Sequence, residues 1–297
     1  MAIFKGAGVA IVTPMYEDGK VNYDKLEELL EYQIANSTDA IIICGTTGES
    51  STMTHGEHLK TIKFAIDKVN KRVPVIAGTG SNCTETAIMM SKEAASYGAD
   101  ALLIVTPYYN KATQKGLIAH YTAIAEAVPE IPVLLYNNPG RVGYTLSADL
   151  VEKLAHEVKN IVGMKDTSGD ITQTEEFIRR NADVGFKVFG GKDTLLYASL
   201  CIGAVGGVCT AGNFMPELIV DIYNKYVAGD LKGSLAAQYK LNPVRLAMDG
   251  ASFPVAAKDM AIMRGQAAGK PYLPNLPTPE GASYDKMKKE MEKAGLI

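Results

Sequence analysis

The segment Ile161–Thr167 reads IVGMKDT, apolar and small residues running directly into Lys165. A lysine at the end of a buried segment has two readings. It snorkels, keeping its stem on apolar surface and its head in water. Or it is an amine nucleophile whose charged form is made costly by burial. Other apolar runs end in residues of complementary chemistry: Thr46-Thr47-Gly48-Glu49, Thr106-Pro107-Tyr108-Tyr109-Asn110, Tyr136-Asn137 followed by Pro139-Gly140-Arg141, and Gly190-Gly191. Together they offer one amine, several phenols and hydroxyls and one guanidinium, with no carboxylate pair and no histidine. That set suits imine chemistry. The amine must be neutral to attack a carbonyl, and a low-dielectric interior favours the neutral form. A tyrosine polarised by a threonine or a second tyrosine can move the protons of the carbinolamine. Threonine hydroxyls and backbone N–H groups after the second run suit a carboxylate, and Arg141 offers a bidentate fork for a second acid group.

The elements that would position these residues repeat along the chain. Short apolar runs begin at Val9 (VAIVT), Ala40, Val73, Ala101, Ile131, Ile161, Phe186 and Ala204, most of them about 25 to 33 residues apart, one βα unit each. They are near-continuously apolar rather than alternating, the mark of parallel strands covered on both faces. Amphipathic segments fill the gaps. Tyr23–Asn36 places Leu26, Leu29, Leu30 and Gln33/Ile34 on one stripe, and Thr54-His55-Gly56-Glu57 has capping-box spacing. The fold class predicted is α/β, a (β/α)8 barrel over residues 1–229 with a C-terminal helical domain over 230–297. No G-x-G-x-x-G motif opens a helix after the first strand, which argues against a doubly wound sheet. In such a barrel the strand C-termini form the working end, so the residues collected above share one rim.

Composition narrows the function classes. The 297 residues are 47% hydrophobic and 21% charged with a net charge of -3, so there is no basic field for nucleic acid. The start MAIFKGAGVAIVTP lacks the pattern of a signal peptide, and no run approaches the roughly 18 apolar residues of a membrane span. Cys44, Cys83, Cys201 and Cys209 show no paired spacing and read as small hydrophobes of a reducing cytosol, giving a cytoplasmic expectation. His55 and His58 have no ligand cluster around them, so no metal is expected there.

On the motifs GTTGES (Gly45–Ser50) with Glu57 downstream, VTPYYN (Val105–Asn110), the Tyr136–Arg141 run and the strand-end Lys165, the chain resembles a family along its whole length. This is the family of Schiff-base pyruvate lyases and synthases that includes dihydrodipicolinate synthase and N-acetylneuraminate lyase. GTTGE, the double tyrosine and Arg141 after Pro-Gly are most similar to its synthase branch. Members of that branch condense pyruvate with L-aspartate 4-semialdehyde in lysine (diaminopimelate) biosynthesis. The resemblance implies that Lys165 forms the imine with pyruvate and that no metal or other cofactor is needed. It implies Tyr136 as acid/base, in a relay with Thr46 and with Tyr109 donated across a dimer interface. Thr46 and Thr47 would bind the pyruvate carboxylate, Arg141 the carboxylate of the aldehyde, and Gly191 and Val208 would line the pocket. A homotetramer built as a dimer of dimers is implied, as is a lysine feedback site at Ser50, His55, His58, Asn82 and Tyr108. Thr86 stands where relatives with that site carry a glutamate.

Two departures bear on the substrate. Asn138 occupies the apolar position of Tyr-Asn-apolar-Pro, and Ala251-Ser252-Phe253-Pro254-Val255-Ala256 stands where synthases usually have Asn-Pro-Ile-Pro-Val-Lys. The altered wall leaves an alternative: a retro-aldolase or dehydratase of a 2-keto-3-deoxy sugar acid or an N-acetylneuraminate-like substrate, working through the same imine. A non-enzymatic barrel, kept as sensor or scaffold, is the third reading, and the intact Lys165, Tyr136, Tyr109 and Thr46 set argues against it.

Overall fold

A computed structural model describes residues 3–297. Eight parallel strands close a barrel in sequence order: β1 (Gly6–Ala10), β2 (Ala40–Ile43), β3 (Val75–Gly78), β4 (Ala101–Val105), β5 (Val133–Asn137), β6 (Ile161–Asp166), β7 (Lys187–Gly190) and β8 (Gly206–Cys209). The helices between them are α1 (Tyr23–Ala35), α2 (His55–Val69), α3 (Thr84–Ser96), α4 (Gln114–Ala127), α5 (Pro139–Val142), α6 (Ala148–Glu157), α7 (Ile171–Arg180) and α8 (Leu196–Cys201). Then follow α9 (Pro216–Val227), α10 (Leu231–Ala247), α11 (Val255–Met263) and α12 (Ala282–Lys293), so the helical C-terminal segment expected from the sequence is present. Among the described residues no helix is long and apolar enough to cross a membrane.

The first strand lies three residues earlier than the run VAIVT suggested. Its glycines are there for close packing: a Cβ on Gly8 would stand 2.9 Å from the Phe4 ring and 3.1 Å from the Gly207 carbonyl oxygen on β8. Ile11 and Val12 are buried beyond the strand, donating their N–H groups to the Ile42 carbonyl and to Asn213 Oδ1.

Burial divides into two layers, as barrel geometry requires. The larger core lies between strands and helices and takes in Leu26, Leu29 and Leu30 of α1. The smaller fills the barrel interior and includes Ala10, Ile42, Ile76, Leu103, Leu134, Tyr136, Phe189 and Val208. Phe4 and Phe189 stack there at 4.4 Å between ring centroids. Because side chains alternate along a strand, Leu134 and Tyr136 of β5 face inward while Val133 and Leu135 face the helices.

Half of the expected capping box forms. Thr54 caps α2 by accepting the Glu57 N–H, whereas the Glu57 carboxylate turns away to accept from Val21 N at 3.0 Å. Cys44 and Cys209 are buried as read from the sequence, while Cys83 and Cys201 lie on the surface.

Two buried histidines make stability depend on pH. His58 Nε2 stands 2.8 Å from the Gly78 carbonyl oxygen, so the neutral ring donates there. Burial pushes its pKa down to about 4, against a weaker upward pull from that carbonyl. Burial likewise pushes His120 down to about 4. Both folded values lie below the unfolded value near 6.5. The unfolded chain therefore takes up protons that the folded chain refuses, and stability falls as pH drops through this window. Between pH 6.5 and pH 5 the expected loss is about 1.5 kcal/mol for His58, with a further contribution of the same sign from His120. Urea midpoints at the two pH values measure it, and an unchanged midpoint contradicts it.

Candidate active site

Strand register brings the amine and the phenol together. Tyr136 of β5 pairs with Lys165 of β6, and Lys165 in turn with Phe189 of β7. All three face the barrel interior, and Lys165 Nζ sits 4.5 Å from the centroid of the Tyr136 ring. Lys165 is only 5% exposed, so its amino group does not snorkel into bulk water and faces a cavity instead. That cavity, about 330 Å³, lies at the C-terminal ends of the strands and is lined by Thr47, Tyr136, Asn138, Arg141, Lys165 and Gly191, among others.

The residues behind this pair hold it in place. Asp166 and Asn137, one position further along the two strands, pair with each other, Asn137 Nδ2 donating to Asp166 Oδ1 at 2.8 Å. The Asp166 carboxylate also accepts from Ser168 Oγ at 2.8 Å and Thr174 Oγ1 at 2.6 Å, while Asn137 Oδ1 accepts from Leu146 N. A buried carboxylate satisfied on both oxygens fixes the ends of β5 and β6 relative to each other. Gly191 supports the lysine by having no side chain. A Cβ there would collide with Thr167 Oγ1 and stand 2.9 Å from Lys165 Cε. Gly191→Ala is expected to displace the Lys165 amino group and lower kcat by about 10²-fold, the scale of an ångström's misplacement. Steady-state kinetics on the folded variant measures this, and wild-type kcat contradicts it.

Thr47 is buried, its hydroxyl 3.2 Å from that of Thr210. Thr46 instead lines a small cavity of about 30 Å³ shared with Tyr136 and Ser50. Among the described residues, the hydroxyl of Tyr136 takes its hydrogen bond from Asn138 Nδ2, at 2.8 Å, rather than from Thr46. Tyr109 is 89% exposed with φ at +71°, a backbone conformation uncommon outside glycine. Val208 lies inside the barrel on β8. Arg141, on the short helix α5, reaches the cavity mouth, its guanidinium 4.8 Å above the ring of Phe253.

Several lining residues escaped the sequence reading. Arg245 of α10 approaches Asp193 at 3.3 Å and Asp249 at 2.8 Å. Two carboxylates therefore do stand at the rim, contrary to the expectation, but Arg245 faces both, and Asp193 also accepts from Thr210 N and Ala211 N. Ala251 and Phe253, from the segment that departs from the synthase pattern, form part of the wall. Glu49, read only as part of the second strand's end, forms an ion pair with Lys258 of α11 at 2.5 Å, with both side chains fully buried. Glu49 also accepts from Tyr272 N at 2.9 Å, so the C-terminal segment braces the loop that carries Thr46 and Thr47.

A second cavity, about 470 Å³, opens beside Tyr109. It gathers Ser50, His55, His58 and Tyr108 with Thr46, Thr86 and Arg141. Asn82 does not line it, although Ser81 does.

The Dihydrodipicolinate synthetase family model matches residues 3–294. A 4-hydroxy-tetrahydrodipicolinate synthase of Lachnoclostridium phytofermentans is 49% identical over 297 residues, covering 100% of both chains. Among solved structures, a chloride-inhibited dihydrodipicolinate synthase from Acinetobacter baumannii, complexed with pyruvate, is similar with a TM-score of 0.93 at 39% identity, covering 99% of each chain. The enzyme of Cyanidioschyzon merolae with lysine bound superposes with a TM-score of 0.95 at 34% identity, covering 100% of each. With the family model and these relatives agreeing over the full length, the chain belongs to the dihydrodipicolinate synthetase family.

Proposed function

We propose that the chain condenses pyruvate with L-aspartate 4-semialdehyde to 4-hydroxy-tetrahydrodipicolinate through an imine on Lys165. The observation that carries this reading is the buried Lys165–Tyr136 pair, in register inside the barrel mouth and 4.5 Å apart. The neutral Lys165 amine attacks the ketone carbon of pyruvate, and Tyr136 delivers a proton to the oxygen that leaves as water. Loss of a methyl proton then gives the enamine, which attacks the aldehyde. The amino group of the second substrate closes the ring on the imine carbon and releases Lys165. Thr46, Thr47 and their N–H groups hold the pyruvate carboxylate, Arg141 holds that of the aldehyde, and Gly191 and Val208 shape the pocket. No metal or separate cofactor enters this sequence.

The exposure and backbone strain of Tyr109 support its donation across a dimer interface, within a tetramer of two such dimers. The cavity holding Ser50, His55, His58 and Tyr108 is the place for feedback by lysine. Its lining contains no carboxylate to meet an amino acid's ammonium group, so feedback, where present, is weak. A cytoplasmic location is consistent with the unpaired surface cysteines Cys83 and Cys201.

Phe253 under Arg141 and Ala251 in the wall favour a second reading, retro-aldol cleavage or dehydration of a 2-keto-3-deoxy acid through the same imine. Initial rates with pyruvate and L-aspartate 4-semialdehyde separate the two. A rate dependent on both, with kcat/KM on the order of 10⁴ M⁻¹s⁻¹ or more, supports the first. No rate from folded, pyruvate-binding protein moves the assignment to the second, which is then tested on 2-keto-3-deoxy acids.

A further inference from the structure

Asn138 occupies a position at which the family pattern is apolar, and its side chain is used. It is 6% exposed, its backbone carbonyl accepts the N–H groups of Arg141 and Val142 at 3.0 Å each, and its side chain makes no helix cap. Instead Nδ2 points back over the strand end to the Tyr136 hydroxyl oxygen at 2.8 Å. We propose that Asn138 is a positioning residue for proton transfer, a fixed N–H donor that holds the Tyr136 oxygen and leaves its proton free for the reacting carbinolamine. The inference rests on the reading of Tyr136 as acid/base.

The chemistry follows from what an amide N–H does to a phenol. The donor occupies a lone pair of the oxygen, so the hydroxyl hydrogen must point elsewhere, and the cavity shared with Lys165 is open to it. When the carbinolamine collapses, its C–O bond breaks, the nitrogen lone pair forms the C=N bond, and the Tyr136 O–H proton passes to the departing oxygen to give water. The negative charge left on the phenol oxygen then faces an N–H, and hydrogen bonds to charged partners are roughly twice as strong as neutral ones. The contact therefore tightens in the step where charge develops, the condition for speeding a reaction rather than only binding its substrate. An aliphatic residue provides no such donor. The same residue opens the helix carrying Arg141, so the phenol and the arginine are referenced to one point of backbone.

Two near-isosteric substitutions test this, with Tyr136→Phe as reference. Asn138→Leu removes the donor, and Asn138→Asp places an acceptor against the phenol oxygen. Both are expected to lower kcat about tenfold or more, a fraction of the roughly 10²–10⁴-fold that a general acid–base group contributes, with KM for pyruvate nearly unchanged. Both should raise the solvent deuterium isotope effect on kcat, which a structural role alone would not move, and Asp should be the worse of the two. Leu with wild-type kcat and isotope effect overturns the proposal. So does a loss confined to KM or thermal stability. An Asp variant that retains activity when Leu does not shows the phenol donating to the side-chain oxygen, and likewise overturns it. If Tyr136→Phe itself turns over normally, the reading of Tyr136 has failed and the inference falls with it. If only Tyr136→Phe is inactive, that reading stands and the inference alone is wrong.

Discussion

Lys165→Arg is expected to abolish turnover, by roughly 10⁴-fold or more, the scale of losing a covalent nucleophile. Arginine keeps the positive charge and most of the stem volume, yet its guanidinium stays protonated at any working pH and has no free lone pair for a carbonyl. Nothing nearby replaces the amine. Lys192 also lines the cavity, but it sits on the loop after β7, outside the register that sets Lys165 beside Tyr136. The carboxylate of Asp166 and the amide of Asn137 remain to hold the strand ends, so the variant should fold. Kinetics together with circular dichroism check both halves, and substantial turnover in a folded Lys165→Arg protein would remove the covalent mechanism.

Lys258→Met should cost about 3–5 kcal/mol of stability, because it leaves the Glu49 carboxylate buried and without its counter-ion. Both side chains of the pair are fully enclosed. Burial pushes the Lys258 pKa below its ordinary value, and Glu49 pulls it back up. The remaining donors to Glu49, Tyr272 N and Asn275 Nδ2, cannot neutralise its charge. Replacing both partners, Glu49→Leu with Lys258→Met, should recover much of the loss, since neither residue then strands a charge. Urea denaturation of the single and double variants measures the difference. A single variant within about 1 kcal/mol of the natural protein would show that the pair is dispensable. Catalysis should suffer in the single variant too, since Glu49 belongs to the loop that presents Thr46 and Thr47.

How much of this was legible in the sequence depends on distance along the chain. Continuous apolar runs identify parallel strands because both faces are buried, and the residues ending those runs fall on one rim because the barrel aligns strand C-termini. Lys165, Tyr136, Thr47 and Arg141 were found that way, and the structure brings them around one cavity. The first strand was misplaced because Gly6 and Gly8 carry low strand propensity. Only Gly207 on the neighbouring strand, against Gly8, and Asp39, against Gly6, both invisible to a local pattern, explain why glycine is needed there. The pairs Glu49–Lys258 and Asp193–Arg245 join residues from opposite ends or different layers, and no periodicity marks them. Asn138 registered as a departure from a family pattern, but its use became visible only when the strand end folded its side chain back onto Tyr136. Similarly, replacement of the synthase segment signalled a changed wall, and the structure supplied what it changed to, an aromatic face beneath Arg141.

The most direct test of the account is borohydride reduction of the protein in the presence of pyruvate, followed by peptide mass analysis. One reduced pyruvate adduct per chain, located on the peptide carrying Lys165 and absent from Lys165→Arg, is the predicted result. A protein that turns over pyruvate yet shows no adduct, or carries it on a different lysine, would contradict the account.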